Sequence, residues 1–157
     1  MPLIHLTTVI HAPLHRVFDL SRSITLHKRS MEHLKEEAIK GRTSGLIEYD
    51  ETVTWRAKHL NKMRQLTMKI TAMQKNHYFC DEMVDGDFTF MKHEHFFREI
   101  ANGTVVIDIM EFGTPYGRIG RWFEKLYLRK YMKRLLTLRN NIIKEYAESE
   151  KWRVILD

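Results

Sequence analysis

Two histidines one residue apart, His93 and His95, stand in a run where alternate positions share one face of a strand. Imidazole exchanges a proton near neutral pH, and a carboxylate that orients it makes it a general base. Three acids share parity with apolar partners in their own runs. Glu51 goes with Tyr49, Val53 and Trp55, Asp81 with Phe79 and Met83, and Asp108 with Val106, Met110 and Phe112. His93 and His95 go with Met91 and Phe97. If these faces are concave, one cavity receives all five polar groups among aromatics and methionines. Apolar walls with a few convergent polar groups are the usual make-up of a small-molecule site. His93 or His95 with Asp108 could act as acid and base there, could line a bound ligand, or could form a satisfied polar pair in the core. Parity leaves the inward face open, because Phe88, Phe90 and Phe96 mark the other side of the histidine run, and Val105, Ile107 and Ile109 that of the last run.

Arg139 falls inside the apolar arc of a long helical stretch, beside Leu135 and Ile142. A guanidinium there needs a partner or must reach out to solvent. Turned inward it meets Glu51, Asp81 or Asp108, and either fixes the helix or binds an anionic ligand. His93 and His95, with Asp108 as a third ligand, have a spacing that strand ligands use, yet no second histidine pair or cysteine supports a metal site, and none is expected. Cys80 is the only cysteine, which excludes an intrachain disulfide and a multi-thiolate zinc site and suits a small packed hydrophobe. Gly113, Gly117 and Gly120 lack the spacing of a phosphate loop, and no cofactor is expected.

These side chains need a scaffold, and its elements can be read in order. Leu3 to Ile10 is rich in Ile, Val and Thr and predicts a strand. Pro13 then starts a short helix over residues 14–21, and Ser23 caps a second over about residues 23–31. From 34 to 113, about six β-branched and aromatic runs alternate with turns at 41–45, 74–76, 85–87 and 101–103. Connections this short imply an antiparallel meander. From Gly117 to Ala147 the period becomes helical: Tyr131, Leu135, Leu138, Ile142 and Tyr146 form a stripe that Leu128, Met132, Leu136 and Ile143 widen. Ile119, Trp122, Phe123 and Leu126 lie on nearly the opposite side, which predicts a kink or a separate short helix near Tyr127.

The chain has 157 residues, 43% hydrophobic and 29% charged, which suits one folded domain and argues against a disordered chain. The formal net charge of +6 is local: residues 1–117 hold 15 Lys/Arg and 15 Asp/Glu, whereas residues 118–157 hold 11 and 5. Residues 118–134 could therefore touch an anionic membrane, while the balance elsewhere argues against nucleic acid. No apolar run reaches the ~18 residues of a membrane span, and Thr7, Thr8 and His11 break up any signal-peptide core, so a cytoplasmic location is expected. The sequence leaves the oligomeric state open.

One strand, two short helices, six antiparallel strands and a long C-terminal helix is the order of the helix-grip fold. The sequence resembles the START/SRPBCC superfamily, including polyketide cyclase-like members. The likeness is carried by residues 10–18 (Ile10-His11-Ala12-Pro13 through Phe18), by Gly45 through Trp55, by Phe90 through His95, and by Thr114-Pro115-Tyr116-Gly117 ahead of the long helix; it runs over nearly the whole chain. It implies an α+β domain over residues 1–157, with a curved antiparallel sheet of about seven strands wrapped on the C-terminal helix. A cavity between them would bind a hydrophobic or amphipathic molecule, lipid-like or polyketide-like, without catalysis. Two other readings stay open. One is a cyclase- or dehydratase-like enzyme using His93 or His95. The other is an interaction module working through the basic helix.

Overall fold

The computed structural model describes residues 3–157, with the backbone alone at 124 and 125. β1 (Leu3–Ile10) runs into Pro13, whose fixed φ of −60° sets the start of α1 (Leu14–Ser21). Val17, Phe18 and Ser21 turn one side of α1 inward. In α2 (Ile24–Ser30) the Ser23 hydroxyl accepts from the Leu26 N–H at 3.0 Å, the expected N-cap. Six strands then follow: β2 (Glu37–Gly41), β3 (Thr52–His59), β4 (Lys62–Gln74), β5 (Tyr78–Asp85), β6 (Phe90–Ile100) and β7 (Gly103–Gly113). They form one antiparallel sheet in the order β1-β7-β6-β5-β4-β3-β2, a meander with its first strand returned to the far edge. Register shifts along β4, between Thr67 and Met68 and between Ile70 and Ala72, add the bends that curve the sheet. At Gly41, φ is +75° and a Cβ would sit 2.2 Å from the Thr52 carbonyl oxygen, so only glycine closes that edge.

The last 40 residues are helical, but not as one rod. α3 (Gly117–Phe123) passes through a π turn, Glu124–Leu128, into α4 (Arg129–Glu148). The wider turn reconciles the two opposed apolar stripes, as the sequence required near Tyr127. α4 lies along β1: Arg129 Nε donates to the Leu3 carbonyl, Asn140 Nδ2 to Thr8 Oγ1, Lys144 Nζ to the Val9 carbonyl, and Glu148 accepts from the His11 N–H. The two elements keep pace because about 19 residues at 1.5 Å and about 8 at 3.3 Å cover nearly the same length. A short α5 (Trp152–Leu156), not foreseen in the sequence, closes the end where the Arg16 guanidinium lies 4.2 Å over the Trp152 ring.

The buried face of α4 is Leu136, Arg139, Asn140, Ile143 and Ala147. That is one residue, about 100°, round from the expected centre line of Tyr131, Leu135, Leu138, Ile142 and Tyr146. The reason is the cavity. Tyr131 and Leu135 border open space, while Leu138 is partly exposed to solvent. Phe18 of α1 meets Phe79 and Phe97 edge-on at 5.8 and 5.2 Å, filling one end of the sheet's concave side and leaving the other hollow.

Candidate functional site

The inward face of β6 is Met91, His93, His95 and Phe97, which decides the parity that composition could not. Directly opposite one another stand Asp81 and His93 on β5 and β6, and His95 and Asp108 on β6 and β7. Imidazole is long enough to reach diagonally as well. His93 Nε2 lies 2.8 Å from Asp108 Oδ1, and His95 Nε2 lies 3.1 Å from Asp81 Oδ2. His95 Nδ1 is 3.2 Å from Asp108 Oδ1, outside hydrogen-bond geometry. The two imidazoles stack with centroids 3.7 Å apart, and Phe79 covers the His95 ring at 4.0 Å.

The helix completes the cluster from the other side. Asn140 Nδ2 donates to Asp108 Oδ2 at 2.7 Å, and Arg139 Nη1 stands 3.6 Å from Asp108 Oδ1 while Nη2 donates to the Ser21 carbonyl at 3.1 Å. Asp108 is fully buried, and burial works to raise its pKa. The His93 hydrogen bond, with the His95 imidazole close beside the carboxyl, outweighs that and holds it well below its ordinary value. Asp81 balances the same way: burial pushes it up, but the His95 hydrogen bond, with the two imidazoles and the Arg139 guanidinium nearby, brings it below the usual range. His93 moves down, first through burial and then through repulsion from His95, so near pH 7 it is neutral. Its Nε2–H donates to Asp108, and its Nδ1 carries no hydrogen bond among the described residues. His95, by contrast, has both nitrogens turned to carboxylates.

Above this cluster lies a cavity of about 460 Å³ between the sheet and α4. Trp55, Phe79, Asp81, His93, His95, Met110 and Arg139 lie on its wall. Four expected members do not. Glu51 precedes β3 in a turn where Asp50 has φ of +69°, so strand parity does not extend to it; its carboxylate pairs with Arg42 at 2.8 Å on the surface, and that hydrogen bond lowers its pKa. Met83 keeps its parity but packs at the sheet's end, where a Cβ on Gly86 would lie 2.9 Å from its sulfur. Phe112 is buried one layer back, edge-on to Phe88, and it is Phe88, in the loop before β6, that reaches the wall. Asp108 is fully buried beneath the histidines and is not part of the wall.

Several wall and support residues escaped the sequence reading. Asn140 falls in the row of Leu136 and Ile143, three and four residues apart, and that periodicity was the available signal. His27 stacks on Trp55 at 4.5 Å with its Nε2 2.6 Å from Glu36 Oε1, and His59 Nδ1 lies 2.7 Å from the Tyr131 hydroxyl. Burial pushes His59 down and Tyr131 up. Nothing in the sequence pairs these residues, which lie 9 and 72 positions apart. Cys80 is buried, with its thiol pushed up by burial, as suits a packed hydrophobe.

Among the described residues, the grouping that could hold a cation is Asp81, His93 and His95, whose ligand atoms lie within 4.8 Å of one another; Asp108 is not its third member. The stacked rings, 29° from parallel, oppose coordination, because a metal ~2 Å from one nitrogen in its ring plane lies well out of the other plane. Hydrogen bonds to Asp81 and Asp108 already use the Nε2 atoms.

No protein-family model matches the chain, and no curated protein matches it. Solved structures do. The protein TTHA0849 from Thermus thermophilus superposes with a TM-score of 0.70 at 17% identity, over 90% of this chain and 97% of that one. The Zhui aromatase/cyclase from Streptomyces sp. R1128 gives 0.74 at 11% identity, over 93% of each. The major latex-like protein 151 of Panax ginseng gives 0.69 at 10%, over 94% and 97%. The chain therefore shares the helix-grip fold of these structures.

Proposed function

We propose that residues 1–157 act as one ligand-binding domain, taking a hydrophobic or amphipathic small molecule into the space between sheet and α4. The carrying observation is that space itself. Its 460 Å³ falls within the ~300–1,000 Å³ of small-molecule sites, and its wall is mostly apolar, with Asp81, His93 and Arg139 among its polar members. These three offer an acceptor, an imidazole and a guanidinium to the polar end of a ligand. Titration with the apolar fluorophore N-phenyl-1-naphthylamine tests this, together with Leu135→Trp, which fills the cavity from α4. Saturable binding weakened at least about tenfold by the substitution is expected. Equal binding by both proteins, with no small molecule retained in native mass spectrometry, would sink the reading.

A second reading, acid–base catalysis, is favoured by one observation: His93 lines the cavity, is oriented by Asp108 through Nε2, and has no hydrogen bond at Nδ1 among the described residues. The aromatase/cyclase among the fold neighbours makes a carbonyl-rich chain the substrate class to try. Nδ1 would take the proton from a carbon next to a carbonyl and return it to the β-hydroxyl, whose C–O bond breaks as the C=C bond forms, so that it leaves as water. Dehydration of a β-hydroxy ketone, lost in His93→Gln and kept in Glu51→Gln, is the expected outcome; turnover that survives His93→Gln removes this reading.

A further inference from the structure

The mouth of the cavity carries apolar surface that ligand binding does not use. Between residues 116 and 127, Tyr116, Ile119, Trp122, Leu126 and Tyr127 are all exposed, Ile119 at 79% and Trp122 at 69%. The π turn is the cause: it rotates α3 relative to α4, so the α3 stripe faces outward when that of α4 faces in. Across the mouth, Leu60 and Met63 at the β3–β4 hairpin are half-exposed, and the His59–Tyr131 hydrogen bond ties that hairpin to the helix. Phe123, Tyr127 and Tyr131 stack at 5.5 and 6.4 Å, leading from the outer surface to the cavity wall. The exposed apolar surface is thus continuous with the interior.

Cations surround it. Arg118, Arg121, Lys130, Lys133 and Arg134 are exposed, and none of them forms an ion pair among the described residues. A second copy of the chain would set this positive surface against itself. A nucleic acid or an acidic protein would meet the cations and leave Ile119 and Trp122 in water. An anionic lipid surface satisfies both, with aromatic and aliphatic side chains at the headgroup boundary and arginines on phosphates. No described helix is long and apolar enough to cross a membrane, so the contact is peripheral.

We propose that residues 116–134, with the β3–β4 hairpin tip, dock the cavity mouth onto an anionic membrane surface. Docking this way opens the cavity toward the bilayer, from which an apolar ligand could enter without crossing water.

Co-sedimentation of the full chain with vesicles tests this, using phosphatidylcholine alone and phosphatidylcholine mixed with phosphatidylglycerol. Binding to the mixed vesicles is expected, with a blue shift of Trp122 emission. Ile119→Ser with Trp122→Ser should weaken it at least about tenfold, because it removes the two largest exposed apolar contacts. Arg118→Gln and Arg121→Gln should each weaken it about fivefold. All four positions are exposed, so circular dichroism should show an intact fold. Absence of binding to the mixed vesicles overturns the proposal. So does binding that the serine pair leaves unchanged, which is plain charge adhesion. So does a dimer that the serine pair dissolves, or tight binding to an oligonucleotide without vesicle binding. Leu135→Trp separates the two claims: a protein that docks yet binds no fluorophore refutes the ligand reading alone.

Discussion

Replacing Asp108 by alanine removes the acceptor on which two strands and the long helix converge. His93 Nε2 at 2.8 Å and Asn140 Nδ2 at 2.7 Å lose a charged partner, and the Arg139 guanidinium, 3.6 Å away and itself buried, loses its counter-charge. Hydrogen bonds to a charged group contribute roughly 1.5–3 kcal/mol each, and breaking a buried ion pair from one side costs about 3–5 kcal/mol. These overlap, so the expected loss is about 4 kcal/mol rather than their sum. For a chain of this length that is a fall in Tm of about 8–16 °C. Urea denaturation at pH 7 measures it. Asp108→Asn, which keeps the shape and one acceptor, should cost less. Asn140→Ala combined with Asp108→Ala should be non-additive by about 1–3 kcal/mol, since both changes break the same bond. A loss below about 1 kcal/mol, or strict additivity with Asn140→Ala, would refute Asp108 as the point that locks helix to sheet.

Stability should fall with pH in two stages. His93 resists protonation in the fold, so as pH drops below its ordinary value of 6.5 the unfolded chain binds a proton that the folded chain does not, and stability declines toward its lowered folded value. Asp108 and Asp81 contribute fully above their ordinary 3.8 and lose that contribution as pH falls through their lower folded values. His93→Gln should abolish the upper stage in pH-dependent urea melts and shrink the lower, since Asp108 loses its imidazole partner; an unchanged upper stage would assign it to another group. Glu51→Gln should leave fluorophore affinity unchanged, because the Arg42–Glu51 pair lies outside the cavity; a drop of tenfold would restore Glu51 to the wall. Zinc titration should not raise Tm, since the stacked imidazoles cannot share one ion; a concentration-dependent rise would show that the rings turn to coordinate it.

How much of this was legible depended on whether the signal was local. Pro13 and Ser23 announce their helices through backbone chemistry that acts within a few residues. The turns at 74–76 and 101–103 do the same for the meander. The hairpin at Leu60 and Asn61 carried no such mark, because Leu60 is a residue that rarely adopts its φ of +53°. At the site, strand parity correctly grouped Phe79 with Asp81 and His93 with His95. It failed at Glu51, where the strand had not begun. The opposed stripes of residues 119–126 and 128–146 required a break, and the π turn supplies it.

The sequence by itself determined the order of elements, the break in the C-terminal helix and the segregation of positive charge. Each follows from periodicity or composition within one stretch of chain. Tertiary structure decided which face of β6 looks inward, that Asp108 lies beneath the histidines and off the cavity wall, and that Asn140 and Arg139 reach it from α4. It also decided that each histidine hydrogen-bonds one carboxylate through Nε2. The physical reason is that β6 mixes apolar and polar residues on both faces, Phe90 and Phe96 on one and Met91 and Phe97 on the other, so hydrophobicity alone does not choose between them. The choice is made by partners 14, 15 and 32 residues apart, whose charges are tolerable in the core only when they meet one another.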